Sequence, residues 1–544
     1  MISSIRNTPR NNFFSVRLFE IPGNLPGIFI LYYTRSDIIE VCLTYRPYPL
    51  NQVKDQKKIA VIGAGFAGLS AATCLAEKGF AVTIFEKNDQ TGGRARILQE
   101  QGFTFDMGPS WYWMPDVIEK YFNRFKKTTA DYFHLSRLDP SYQVIVENNE
   151  AIRIPASLHL LKQIFESVEK GSAAKLDKFL AEAKYKYETG INEFVYKPSV
   201  SVKEYTDWRM LKALFHLDML SAFSAHIRQY FKHPHILQIL EFPVLFLGAM
   251  PSKTPALYSM MNYADISLGT WYPQGGFHKL VEAMAALAVE KGVEIKLNSR
   301  VTGIKTVNGK AIGIITGEKF YETDYIIGAA DYHHIEAKLL KKAERSYSED
   351  YWQKKTFAPS CLIFYIGVNK KLPRLLHHNL FFQQDFRQHA KAIYETKQWP
   401  ENPLFYVCCP SKTDETVAPA GMENLFILIP VATGLSSSPS IEENYFDFVI
   451  SHVEKFCGEA FSKNIIFKKS YNGEDFAADY NAYQGNAYGL ANTLRQTAFM
   501  KPSIRSKKIK NLFFAGQLTV PGPGVPPAII SGQVVADYIL SKTS

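Results

Sequence analysis

The sequence predicts an α/β protein: a nucleotide-binding domain built on a parallel sheet and interrupted by a mixed α+β domain. Three observations predict it. A glycine-rich turn joins two apolar runs between Lys57 and Lys87, a further apolar run, "DYIIGAA", lies well downstream, and a strand, a Pro/Gly loop and a helix follow one another from Asn511 onward.

The first unit reads "KKIAVIGAGFAGLSAATCLAEKGFAVTIFEK". Ile59 to Ile62 is apolar, Gly63-Ala64-Gly65-Phe66-Ala67-Gly68 follows, and Leu69, Ala72 and Leu75 recur at helical spacing before the apolar run Ala81 to Phe85. This is strand, tight turn, helix, strand. Gly63 allows the turn, Gly65 lets the backbone approach a pyrophosphate, and Gly68 lets the helix lie close to the strand, so that the helix N-terminus faces the anion. Glu86 ends the second strand about 20 residues past the glycines, where a carboxylate accepts ribose hydroxyls and disfavours a 2′-phosphate. The unit suits NAD or FAD rather than NADP. Residues 1–55 mix basic, polar and apolar side chains without a signal-peptide order and carry Pro22, Pro26, Pro47 and Pro49, so a poorly ordered extension is expected there.

Gly92-Gly93-Arg94 supplies a second turn and a guanidinium fork suited to a phosphate or a flavin edge. Residues 150–235 read as mainly helical. The stretch "EFPVLFLGAMPSKTPALYSMMNYADISLGTWYPQGG" is dense in Phe, Leu, Met, Tyr and Trp, and suits either domain core or the wall of a large apolar ligand site. After Gly275-Gly276 come a helix, Lys279 to Lys291, and strands joined by Asn308-Gly309, the clearest hairpin signal in the sequence. "DYIIGAA" reads as a buried strand rejoining the first sheet. Finally, "NLFFAGQLTVPGPGVPPAIISGQVVADYIL" gives a strand to Ala515, a loop from Gly516, and a helix from Pro526-Pro527 to Leu540, whose first N–H groups suit the pyrimidine edge of a flavin. Two nucleotide-facing turns far apart in the sequence suit FAD, which is long enough to need both.

At 544 residues, 46% hydrophobic and 14% aromatic, the chain affords a large core and an apolar interior. Six cysteines lack metal-ligand spacing, and Cys408-Cys409 is a poor disulfide; no metal is expected, and a reducing cytoplasm is the simplest reading. The net charge of +10 is scattered rather than gathered into a basic arm, which disfavours nucleic acid as a partner. No apolar run approaches the roughly 20 residues of a membrane span, so any membrane contact is peripheral, with apolar area around residues 242–272 as its expected source.

The GxGxxG unit with Glu86, then Gly92-Gly93-Arg94, "GFTFDMGPS", and the closing "FFAGQLTVPGPGVPPAIISG" together resemble the bacterial-type phytoene desaturases, FAD-dependent enzymes of the flavin amine oxidase superfamily. The resemblance covers the chain from about Lys57 onward. It implies a Rossmann-like FAD-binding domain made of residues 56–135, 273–336 and 489–544, with a substrate and membrane-contact domain inserted as residues 136–272 and 337–488. By position, Gly63, Gly65 and Gly68 hold the pyrophosphate, Glu86 the adenosine ribose, and Gly93 and Arg94 lie along the phosphates and flavin. Val301 sets its backbone against the adenine, and Gly516, Gly524, Val525 and Pro526 frame the isoalloxazine. Gln517 stands where the superfamily often has an acid. No cysteine follows Cys457, so the flavin is expected to be noncovalent.

The implied reaction is stepwise desaturation of 15-cis-phytoene toward lycopene, with quinone or dioxygen as electron acceptor. Two alternatives are a desaturase, oxygenase or isomerase acting on a later carotenoid, and a non-catalytic flavin-bearing carotenoid-binding membrane protein. Asp106, Asp265, Asp331, His333 and His334 lie near cofactor or substrate segments, but each reads more simply as a cap or structural hydrogen bond, and none is assigned as the base.

Overall fold

The structure, a computed structural model, describes residues 56–201, 204, 221–493 and 495–543. The expected N-terminal extension, 1–55, and part of the helical stretch, 202–203 and 205–220, lie outside the described residues.

A five-stranded parallel sheet organises the molecule. Its strands are β1 (Lys58–Ile62), β2 (Ala81–Phe85), β3 (Glu294–Lys296), β4 (Tyr325–Gly328) and β5 (Leu512–Phe514), in the order β5-β4-β1-β2-β3. One register row crosses all five as Phe513, Ile327, Val61, Ile84 and Ile295. Such unbroken apolarity suits strands covered on both faces. Helix α1 (Phe66–Ala76) is buried from Phe66 to Leu75 because it lies between this sheet and the closing helix α2 (Val525–Thr543). The crossing is tight: a Cβ on Gly532 would stand 2.4 Å from the Ala67 carbonyl oxygen, and Ser70 Oγ donates to the Ile529 carbonyl at 2.7 Å.

The long connections from β2 to β3 and from β4 to β5 build a second, mixed sheet of seven strands. Tyr142–Ile145 and Ala151–Ile154 come from the first connection; Ser360–Val368, His378–Phe381, Phe405–Cys408, Glu423–Val431 and Ile465–Tyr471 come from the second. Tyr142–Ile145 runs parallel to His378–Phe381 and joins the two contributions. Between β3 and β4, Val301–Val307 and Lys310–Thr316 form the expected hairpin, with Asn308 and Gly309 at φ 49° and 71°, both left-handed as its turn requires.

Among the described residues, 150–235 is mainly helical as expected, with Leu158–Val168, Ser172–Thr189 and Phe223–Tyr230 following a short strand, Ala151–Ile154, that joins the second sheet. One expectation needs correction. In the stretch 242–272, Phe242, Tyr258, Met260, Met261, Ile266 and Tyr272 are buried in the core, so its described side chains do not offer the exposed apolar area expected for membrane contact. Among the described residues, no helix is long and apolar enough to cross a membrane. Cys74, Cys361, Cys408, Cys409 and Cys457 are buried free thiols.

Candidate cofactor site

The β1–α1 turn is closed by its own partners. Gly63, at φ 106°, donates its N–H to the Phe85 carbonyl at 2.9 Å. A Cβ on Gly68 would fall 2.0 Å from the Gly63 carbonyl oxygen, so this glycine is required by the turn itself rather than by helix–strand contact alone. Gly65 differs. Its φ of −76° is open to any residue, and a Cβ there would meet nothing within 4 Å. That open face at the start of α1 is what approach by a phosphate requires. The carboxylate of Glu86 is buried and accepts the N–H groups of Ala64 (2.8 Å) and Asn88 (2.9 Å), tying the end of β2 to the turn. Val301 begins its hairpin two residues past Ser299, whose N–H donates to the Glu86 carbonyl, and its side chain is buried with Phe85.

Gly93 brings the second turn onto the first, since a Cβ on it would lie 3.4 Å from Gly65 Cα. Arg94 Nη2 donates to the Asn486 carbonyl at 3.0 Å, and its guanidinium lies 5.3 Å over the Tyr480 ring. With the Gln517 amide turned to suit its neighbours, Oε1 accepts from Arg94 Nη2 at 3.0 Å and Nε2 donates to the Tyr488 carbonyl at 3.3 Å. Gln517 is thus a partner of Arg94, a role its sequence position did not disclose. Arg94 Nε is buried and has no hydrogen-bond partner.

The C-terminal loop reaches the same place. Gly516 donates its N–H to Ser531 Oγ at 2.9 Å, and a Cβ on it would lie 3.8 Å from Ala67 Cβ, which sets the loop beside the start of α1. Gly516 and Gly524 have φ of 114° and 113°, and α2 starts at Val525. Pro526 and Pro527 fix the helical backbone but carry no N–H, so Val525 is the one donor among the first three helical residues. The helix start is therefore poorer in donors than expected, though its dipole is intact.

The side chains of Asp106, Asp265, Asp331 and His333 are all engaged. Asp106 accepts the N–H groups of Phe277 (2.7 Å) and His278 (3.0 Å) at a helix start; burial pushes it up to about 6. Asp265 accepts from Tyr142 Oη at 2.8 Å, and burial pushes it up to about 7. Asp331 caps the helix Tyr332–Leu339 through the His334 N–H, the His333 ring meets Glu349 at 2.9 Å, and burial takes His334 down to about 4. Elsewhere, His377, His378 and Cys408 bring one ligand-type atom each within 4.8 Å of one another. The two rings bond Thr413 Oγ1 (2.8 Å) and Tyr406 Oη (2.6 Å), and burial favours the neutral imidazoles and the neutral thiol. No residue spacing signals this group, because the strand pairing of His378 with Cys408 assembles it.

An open glycine at a helix N-terminus, a second glycine turn folded onto it, an arginine and a second helix start suit the two ends of FAD. Comparison with known proteins agrees. Residues 66–540 match the family model for flavin-containing amine oxidoreductases. The chain is 38% identical over 484 residues to a carotenoid 3,4-desaturase of Haloarcula japonica, covering 89% of this chain and 98% of that one. It is 30% identical over 493 residues to a zeta-carotene-forming phytoene desaturase of Myxococcus xanthus, covering 89% and 94%. Among solved structures, a triple variant of putrescine oxidase superposes with a TM-score of 0.57 over 90% of this chain and 99% of that one at 12% identity, which shows a shared fold. The chain belongs to the flavin-containing amine oxidoreductase family, among its carotenoid desaturases, and is an FAD-dependent oxidoreductase.

Proposed function

We propose that the chain desaturates 15-cis-phytoene, or a partly desaturated relative, stepwise toward lycopene. The observation that carries the reaction class is the run of curated relatives named as carotenoid desaturases across 89% of the chain. The interior supports an apolar ligand. A Cβ on Gly108 would lie 2.5 Å from the Arg94 carbonyl oxygen, and three residues on, Trp111 stacks on His378 at 4.1 Å within a cluster that includes Trp113, Tyr142, Phe242 and Tyr406. The segment after Arg94 therefore leads from the candidate cofactor site into a buried aromatic cluster. A hydrocarbon polyene has no polar handle, so its binding draws on apolar burial at about 25 cal/mol per Å².

In this reading Gly63, Gly65 and Gly68 with the start of α1 hold the pyrophosphate, Glu86 the ribose, and the Val301 backbone the adenine. Gly93 and Arg94 lie along the phosphates and flavin, and Gly516, Gly524, Val525 and Pro526 frame the ring. The chemistry that FAD supplies when bound is acceptance of a hydride from an allylic carbon, while the neighbouring carbon gives up a proton and one conjugated double bond is added. Quinone or dioxygen would serve as the electron acceptor, and a membrane surface as the source of the substrate. No side chain is assigned as base.

A second reading, action on a later carotenoid, is favoured by the higher identity to the 3,4-desaturase than to the phytoene desaturase. Expression in phytoene-accumulating cells separates the two by pigment extraction. Red or orange pigment with a lycopene-like spectrum is expected. Unchanged phytoene with conversion of a supplied later carotenoid favours the second reading, and no change in either from an FAD-loaded protein with a working acceptor overturns both.

A further inference from the structure

The loop from Gly516 to α2 rests on two buried polar side chains that the fold leaves unmatched. Lys501 is 4% exposed and its Nζ has no hydrogen-bond partner; Asn492 is 3% exposed and its Oδ1 has none. Both converge on Gly522, where a Cβ would stand 3.3 Å from Lys501 Nζ and 3.0 Å from Asn492 Oδ1. Gly522 lies between Gly516 and Gly524, three residues before the positive end of α2. Among the described residues, the charged side chain that acts on Lys501 is another cation, Lys355, whose Nζ donates to the Met500 carbonyl at 3.4 Å. Lys501 thus lies near a second amine and the loop before a helix start, and among the described residues no carboxylate acts on it; an uncompensated buried charge is costly. The donor-poor start of α2, with its two prolines, makes a further source of positive potential useful at this spot.

FAD carries negative charge in two places. The pyrophosphate is matched by the open turn at Gly65, on α1. What remains for the C-terminal loop is the charge that collects on the pyrimidine edge of the flavin ring upon reduction. We propose that Lys501, acting across the Gly522 loop, compensates that charge and so sets the potential of the bound flavin. This inference rests on the proposed placement of the ring beside Gly516, Gly524 and Val525. It makes Lys501 a potential-setting residue, and Asn492 a partner that steadies its amine once it is charged.

The proton balance follows from the burial of the amine. Desolvation and the nearby Lys355 bring Lys501 down to about 7, so above that pH it is neutral beside the oxidised flavin. Reduction by two electrons and one proton leaves one negative charge on the ring, and Lys501 then binds a second proton from solvent.

The test is a spectroelectrochemical titration of the FAD-loaded full chain between pH 7 and 9, with dithionite as reductant and mediator dyes. The wild type should take up two protons per two electrons. Lys501→Met should take up one, and at a fixed potential near pH 7 should hold about tenfold less reduced flavin, a fall of about 30 mV for a two-electron couple. Lys501→Arg should keep the potential within a third of that fall. An unchanged potential and slope in flavin-loaded Lys501→Met overturns the proposal. One proton per two electrons in the wild type, together with a potential unchanged in Lys501→Met, overturns it. Gly524→Val, titrated alongside, tests the placement beneath: a shifted flavin spectrum or lost occupancy supports it, and an unaltered spectrum at full occupancy removes it and the role of Lys501 together.

Discussion

The two ends of the cofactor site are built differently. At the β1–α1 turn the polar groups are matched within the fold: Gly63 bonds Phe85, the Glu86 carboxylate holds the Ala64 and Asn88 N–H groups, and Gly68 is needed to clear a carbonyl 2.0 Å away. At the C-terminal loop, side chains dominate, and Arg94 Nε, Lys501 Nζ and Asn492 Oδ1 are buried without partners. The first end is complete before a ligand arrives, so it serves as a rigid socket. The second carries unmatched polarity, which a ligand can use.

Substitutions sharpen or break this contrast. The largest effect is expected from Gly68→Ala, whose methyl would strike the Gly63 carbonyl oxygen; a loss of about 3 kcal/mol or more is expected, read as a lower Tm or insoluble protein. Gly65→Val, three residues earlier, should fold with a Tm near that of the cofactor-free wild type, because its φ is ordinary and its Cβ meets nothing within 4 Å. It should nonetheless purify colourless, since the branched side chain fills the space a phosphate needs; full flavin absorbance per protein would show the turn to be structural only. Arg94→Ala removes a charged donor to the Asn486 carbonyl at 3.0 Å. In the proposed site the same guanidinium also faces the cofactor, where a charged hydrogen bond is worth about 1.5–3 kcal/mol, so the FAD Kd should rise roughly 10- to 100-fold in fluorescence titration, with pigment formation lost.

The smallest effect concerns Lys501 in the flavin-free protein. Its folded pKa, down to about 7, lies below that of the unfolded chain, so between the two the unfolded state binds more protons and stability rises with pH. The penalty is fully present below the folded value and is relieved as the pH climbs toward the lysine range. Thermal unfolding at pH 7 and pH 9 should show the wild type gaining relative to Lys501→Met; equal gains in the two would contradict a buried, unmatched amine.

The same contrast explains what the sequence could tell. Gly63, Gly65, Gly68 and Glu86 act within about 20 residues, so their spacing carries their geometry, and the Asn308-Gly309 turn is local in the same way. Arg94 was legible as a residue type, but its partners Asn486 and Gln517 are brought to it from about 400 positions away. Lys501 sits in "FMKPS", where nothing marks a lysine as buried. The stretch 242–272 was ambiguous for a different reason: core and ligand wall share one composition, and only packing assigned its Met and aromatic side chains to the interior. Ala151–Ile154 escaped because its partner, Tyr142–Ile145, is itself short, and pairing rather than propensity makes it a strand.

The clasp between α1 and α2 has a consequence for synthesis. Ser70 emerges from the ribosome 459 residues before Ile529, the carbonyl it bonds, and β5 joins the sheet just as late. Throughout most of translation, the first strand–turn–helix unit therefore exists without the helix that covers it, its apolar face open to chaperones or to wrong partners. In the proposed site, FAD held between the two turns would be captured only after nearly the whole described chain has been made, so cofactor loading is expected to be late and to coincide with closure of the fold.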